Sequence, residues 1–365
     1  MADLHSPLWN NIRSADPVRQ TISHDILLKA VQAQIRRHAH SPEPDLDAIH
    51  AALKTYHARD LSILRVSGDK LDLETCFVNL AIVEAPAQRE KEKKDLKEQA
   101  AVFYRIPSSE KVENTDTQSL IPLEQLFNKR KLRDGSEKTP KRILVQGRAG
   151  IGKTTLCKKL VHAHQNGLWR DLFDTVLRIP LRQLRGFNGS TLEALFRERV
   201  FIAQSSDKEQ KELAKALEAH AKKGKVLFIL DGLDEIVADT EGDDRMDFRQ
   251  LLTTLIGQQH VVVTTRPSGS DRELLQQVDL ELETVGFSQQ NVDDFLFKVL
   301  EAEAAKSVQD FIRRTPLIQG LANIPVQLDV ICFSWDSLPG DRQAITMTGL
   351  YKLMVGNCGA RMQFD

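Results

Sequence analysis

Gly147-Arg148-Ala149-Gly150-Ile151-Gly152-Lys153-Thr154 fits the pattern G-x-x-x-x-G-K-[ST], and few eight-residue stretches constrain a fold so tightly. The pattern works only where a strand delivers the loop and a helix leaves it. Ile143-Leu144-Val145 is a short strand-like run, and a helix is expected from Thr154 to about His164, ended by Gly167. The glycines allow positive φ and bring backbone N–H groups against phosphate oxygens. The helix N-terminus adds roughly half a positive charge. Lys153 places a compact cation on the β- and γ-phosphates, and the Thr154 hydroxyl can ligate Mg²⁺. The stretch from Gly147 through Thr155 is therefore read as the nucleotide-binding loop.

Downstream, strand-like runs alternate with helical ones. TVLRIPL (175–181), KVLFIL (225–230), HVVVTT (260–265) and LELETV (280–285) read as strands. Segments near 191–203, 207–222 and 247–256 read as helices, and everything after Ser288 does too. This order predicts an α/β fold with a parallel sheet flanked by helices. Asp231 falls at the C-terminal end of its strand in FILDGLDE (228–235), where open α/β sheets place their ligands. A carboxylate there can hold Mg²⁺ directly or through water. Asp234 and Glu235 follow at once as candidates to orient or deprotonate an attacking water, with Glu235 favoured and exchange of the two roles left open. Arg266, just past HVVVTT, is placed to reach a γ-phosphate.

GRAGIGKTTL, FILDGLDE and VVVTTRP together resemble the NACHT nucleotide-binding domain of the STAND signalling NTPases. The small residue Gly232 with the paired acids Asp234 and Glu235 matches the NACHT form of the magnesium motif, and not the NB-ARC form. The resemblance covers about Arg142 to Tyr351. SILRVSGDKLDLETCFVNLAIVEAP (62–86) is similar to the segment preceding NACHT domains in filamentous-fungal NOD-like receptors. The resemblance implies a P-loop NTPase sheet in which the Arg266 strand separates the phosphate-loop strand from the Asp231 strand. It also implies ATP or ADP with Mg²⁺, slow hydrolysis, self-association in the ATP state, a protein signalling partner and a cytoplasmic location. Pro325, in Asn323-Ile324-Pro325, takes the place of the proline that touches adenine in the family's Gly-x-Pro-like element, here without the glycine. TMTGLYKLMV (346–355) looks like the approach to a winged-helix domain, which in the family carries a histidine that reads the β-phosphate.

The 365 residues are thus divided into a mainly helical N-terminal region (1–87), a charged and polar linker (88–140), an NTPase core (141–287), and a helical lobe (288–365) running into an incomplete winged-helix region. In the first, Asp16-Pro17 and Asp45 open helices, the second carrying Leu46, Ile49, Leu53 and Tyr56; Leu61–Val66 reads as a short strand and Leu71–Val83 as apolar enough to pack. QREKEKKDLKEQ (88–99) alternates charge signs as a solvated helix or linker does. The connector from Ser108 to Pro140 is expected to hold one short helix around Leu123–Phe127.

Several functional classes find little support. Lys+Arg at 50 against Asp+Glu at 51 argues against a nucleic-acid coat protein or a polybasic membrane binder. The basic stretch KRKLRDGSEKTPKR (129–142), with seven basic and two acidic residues, lacks interleaved aromatics for base stacking and reads as a solvated linker. No apolar run approaches the ~18 residues of a membrane span, and the N-terminus has no signal-peptide pattern. Cys76, Cys157, Cys332 and Cys358 lie far apart, and His38, His40, His50, His57, His162 and His164 lack convincing metal spacing. Cys157, on the loop's helix, reads as a small core residue. The leading reading is a nucleotide-gated signalling switch. Alternatives are a binding scaffold that does not hydrolyse, a conventional turnover NTPase, and a GTPase-like module, for which no Asn-Lys-x-Asp element follows the loop.

Overall fold

The computed structural model describes residues 46–78, 80–84, 120–132, 135–236, 246–267, 275 and 278–337. The expected helix after Asp16, the alternating-charge run at 88–99 and the stretch at 346–355 lie outside the described residues. The chain divides into two compact units, Met1–Ile49 and His50–Asp365. Of the first, only residues 46–49 are described, and they begin helix α1 (Leu46–Ala58).

The larger unit is built on a six-stranded sheet. Its strands are β3 (Ala81–Glu84), β6 (Arg142–Gln146), β7 (Thr175–Pro180), β8 (Val226–Asp231), β9 (Val261–Thr265) and β10 (Leu280–Gly286). Their order across the sheet is β3-β10-β6-β9-β8-β7. The five strands expected from the hydrophobic runs are all mutually parallel. Strand β9, which ends just before Arg266, lies between β6 and β8 as the resemblance implies. Strands β7, β8 and β9 are buried along their whole length, which is why none alternates apolar with exposed polar residues; Thr175, Arg178, Thr264 and Thr265 are buried with the rest.

The sixth strand was not expected. Ala81–Glu84 pairs antiparallel with β10, so the sheet is mixed and its edge comes from a segment upstream of the phosphate loop. Four residues are too short to register as a strand on their own; pairing with β10 is what makes them one. The described part of the connector also packs inward, beyond the one short helix expected there. Leu123 opens a 3₁₀ turn (Leu123–Gln125), and Leu126, Phe127 and Leu132 join the main core. Phe127 meets Trp169 and Phe173 edge-on, with ring centroids 5.0 and 5.1 Å apart. The basic stretch folds as the hairpin β4 (Arg130–Lys131) and β5 (Glu137–Lys138), with Arg130 paired to Glu84.

A second small hairpin, β1 (Ser62–Leu64) with β2 (Lys70–Asp72), follows α1 and precedes the short α2 (Leu73–Cys76). Helices cover the sheet: α3 (Lys153–Gln165), α4 (Leu192–Leu195), α5 (Asp207–Lys222) and α6 (Met246–Ile256). The helix expected over 191–203 is instead the single turn of α4 followed by a π-helical turn at Phe196–Val200. Among the described residues, four further helices follow β10 in the lobe: α7 (Gln289–Val299), α8 (Ala302–Arg314), α9 (Pro316–Ala322) and α10 (Pro325–Ser334). Helix α7 starts with a capping box between Ser288 and Asn291, and α9 and α10 each open on a proline at the first helical position. The lobe docks onto the sheet's C-terminal edge, where the Phe287 N–H donates to the Asn323 carbonyl at 2.8 Å.

Candidate functional site

The phosphate loop leaves β6 and enters α3 without a side-chain cap. Gly152 has φ 99° at the N-cap, so the first backbone N–H groups of α3 point into the cleft. Lys153 curls back over the loop, its Nζ donating to the Gly147 and Arg148 carbonyls at 2.7 and 3.0 Å. Burial lowers the Lys153 pKa from its ordinary value; the nearby Asp234 opposes that shift and Arg266 adds to it. Such a cation gains from an anionic ligand that restores its lost solvation.

Asp231 ends β8 inside the cleft and is 6% exposed. Thr154 Oγ1 donates to Asp231 Oδ1 at 3.2 Å, and Thr264 Oγ1 donates to the same oxygen at 3.1 Å. The Thr264 hydroxyl in turn accepts from the Gly232 N–H at 2.9 Å, fixing the turn that follows β8. Hard oxygen donors from Thr154 and Asp231, with Asp234 and Glu235 lining the same cleft, suit Mg²⁺ and would suit a soft metal poorly. When bound, Mg²⁺ would neutralise charge on the β- and γ-phosphates.

Arg266 and Asp234 form a unit. The Arg266 Nε lies 2.9 Å from Asp234 Oδ2, and the Arg266 backbone N–H donates to Asp234 Oδ1 at 3.1 Å. The two acids whose roles the sequence left open to exchange both line the cleft, and Asp234 is the one that holds Arg266. Every residue from Ala149 to Thr155 lines the same cavity of about 320 Å³, together with Asp231, Asp234, Arg266 and Pro325. Gly147 and Arg148 sit behind it, meeting Lys153 through their carbonyls. Pro325 is there because it begins α10, whose first turn rests on the loop: the Val326 N–H donates to the Gly150 carbonyl at 3.4 Å. Gly150 has φ 73°, and a Cβ there would overlap Val326, so loop and lobe can approach only around a glycine.

Sequence reading missed Arg178, in the middle of β7. Its Nη2 lies 2.7 Å from Asp231 Oδ2 and its Nη1 lies 2.6 Å from Asp60 Oδ2, with Lys158 2.9 Å from the other Asp60 oxygen. Burial works against the Arg178 charge, but Asp231 above all, and then Asp60, raise its pKa further above the usual arginine range. Burial alone would raise the Asp60 pKa, yet its bonds to Arg178 and Lys158 bring it below the ordinary value. The signal was legible in principle: an arginine inside an apolar strand run must find a carboxylate partner. Its partner's identity was not.

A parallel sheet with this strand order, a glycine-rich loop entering a helix, and an acid on the strand two positions away define a P-loop NTPase. The sequence matches the family model of the NACHT domain over residues 141–303, and that of a domain of unknown function (DUF7068) over residues 303–347. Residues 141–303 are a NACHT domain, a nucleotide-binding module. Among curated proteins, NACHT, LRR and PYD domains-containing protein 1b allele 4 of Mus musculus is 26% identical over 216 residues, covering 54% of this chain and 23% of that protein. NACHT, LRR and PYD domains-containing protein 12 of Homo sapiens is 26% identical over 232 residues, covering 59% of this chain and 21% of that one. The chain thus spans less than a quarter of the length of either relative. Solved structures resemble it distantly. The Aeropyrum pernix ORC1 protein in complex with DNA matches at 14% identity over 60% of each chain with a TM-score of 0.34. C. elegans PCH-2 matches at 14% identity over 80% of this chain and 72% of that one, also at 0.34. No helix among the described residues is long and apolar enough to cross a membrane.

Proposed function

We propose that this chain is a nucleotide-dependent signalling switch that binds ATP or ADP with Mg²⁺, hydrolyses ATP slowly and self-associates in the ATP state. Its kinship would be with the NOD-like receptors of filamentous fungi, in the cytoplasm, handing its state to a protein partner. One observation carries the reading: loop, Arg266 and helical lobe converge on a single cleft. Lys153 and the α3 N-terminus would hold the phosphates, Thr154 and Asp231 the metal, and Pro325 the base. Glu235 would orient the attacking water, and Arg266 would meet the γ-phosphate. A group that distinguishes ATP from ADP while touching an element that can move supplies the differential affinity a population shift requires.

The test is to identify the nucleotide that co-purifies with the protein by mass spectrometry, and to measure molecular size in ADP and in a non-hydrolysable ATP analogue. A larger species in the analogue alone is expected. A single size in both, with nucleotide bound, would leave a binding scaffold. Turnover of many per second without association would indicate a conventional NTPase.

A further inference from the structure

Residues 57–66 run from the end of α1 into β1 and touch both walls of the cleft. At one end, Asp60 is held by Arg178 and Lys158, and Lys158 Nζ also donates to the Ser62 carbonyl at 2.8 Å. These contacts fasten the segment to α3 and β7, the elements that bear the loop's helix and the partner of Asp231. Further back, the His57 Nε2 accepts from the Arg178 N–H at 3.3 Å. At the other end, Arg65 Nε and Nη2 lie 2.8 and 2.7 Å from Asp329 Oδ1, and the Val66 N–H donates to Asp329 Oδ2 at 2.7 Å. Asp329 belongs to α10, the helix whose first turn rests on the phosphate loop. Between the two anchors, Ile63 and Leu64 line the cavity.

We propose that residues 57–66 are a strap that ties the helical lobe to the sheet across the cleft and sets the rate of nucleotide release, with the Arg65–Asp329 pair as its releasable end. The proposal rests on reading the cleft as the nucleotide site. The Asp60 anchor is shared by two buried cations: Asp60 itself is 42% exposed, but Lys158 and Arg178 are 10% and 5% exposed, and Arg178 also holds Asp231. Opening it takes a carboxylate from both buried cations at once, whereas opening the Arg65 anchor breaks a single pair. The Arg65 anchor depends on one carboxylate, its side chains are 13% and 10% exposed, and both residues themselves line the cavity. Any movement of α10 away from the loop must break this pair. The pair therefore opposes the motion that frees a ligand under Pro325 and Val326.

Release of a fluorescent ADP analogue in the presence of Mg²⁺ tests the strap, using wild type, Arg65→Gln, Asp329→Asn and the double variant. Asp329→Asn keeps an acceptor for the Val66 N–H, so the hairpin retains its backbone contact. Each single change should speed release roughly ten-fold, and the double should be no faster than the faster single. Hydrogen exchange on nucleotide-free protein gives a reading independent of ligand. Arg65→Gln should raise exchange across both 62–72 and 325–334, while exchange confined to 62–72 would overturn the tie. Unchanged release in both singles, or fully additive effects, would overturn it as well. Failure of the wild type to bind the analogue would refute the nucleotide reading instead, and the strap would then stand or fall on the exchange data.

Discussion

The Asp234 carboxylate grips Arg266 twice, through the guanidinium at 2.9 Å and the backbone N–H at 3.1 Å. We propose that the adjacent acids of this turn have separate duties. Asp234→Asn should loosen Arg266 and shrink the preference for ATP over ADP about ten-fold, with little change in ADP affinity. Glu235→Gln should leave both affinities in place and slow hydrolysis. Calorimetric titrations with the two nucleotides, beside single-turnover hydrolysis, separate these outcomes; equal loss of ADP and ATP affinity in Asp234→Asn would refute the division.

Lys153→Ala should weaken nucleotide binding by roughly ten- to hundred-fold, the worth of one charge-assisted contact. Lys153 is half-buried and, among the described residues, its hydrogen bonds go to the loop carbonyls of Gly147 and Arg148, so the core should survive its removal. Calorimetry and circular dichroism on the same sample check both halves of the statement. Unchanged affinity would remove the loop from the site.

Gly286 should tolerate no side chain. Its φ is +104°, and a Cβ would overlap the Asn323 carbonyl oxygen, a backbone atom at the junction of α9 and α10. Gly286→Ala is expected to cost on the order of 2 kcal/mol or more, because strain and steric overlap add. Exchange protection should fall first in 316–334, ahead of the sheet; uniform loss over β6 to β9 would mean that the lobe is not separately docked.

Acid should weaken the fold through His57. Burial first, and then the Arg178 charge, lower its pKa from 6.5 to about 3. Between those values the unfolded chain binds the proton and the folded chain does not, so the contribution is complete above pH 6.5 and is lost as pH falls toward 3. Within that window each pH unit costs about 1.4 kcal/mol. His164 and His260, also lowered mainly by burial, add to the same limb. Urea unfolding at pH 7.5 and 5 measures the slope; His57→Gln keeps an acceptor for the Arg178 N–H and should reduce the difference by about 2 kcal/mol. An identical slope in the variant would exclude His57 as its source.

Much of the site was legible in the residues because its chemistry is local. The loop from Gly147 to Thr154 must take positive φ at Gly150 and Gly152, deliver backbone N–H groups and begin a helix, and these are properties of consecutive positions. The apolar run of β8 likewise announced a buried strand, and those around β7 and β9 announced strands. Asp231 and Arg266 could be placed because each directly follows such a run.

What depends on residues distant in the chain was decided by packing alone. Ala81–Glu84 becomes a strand only because β10 offers it a free edge. Phe127, in a stretch with the composition of a linker, is drawn into the core by Trp169 and Phe173. The sequence determined that this chain would make a phosphate loop with an acid and an arginine at neighbouring strand ends, since spacing along a strand, turn or helix is enough to specify them. Only the tertiary structure decided that Arg178 would join Asp231 to Asp60, or that Arg65 would find Asp329. Residues 264 positions apart share no local pattern, and a buried charge takes whichever opposite charge the folded chain brings within reach.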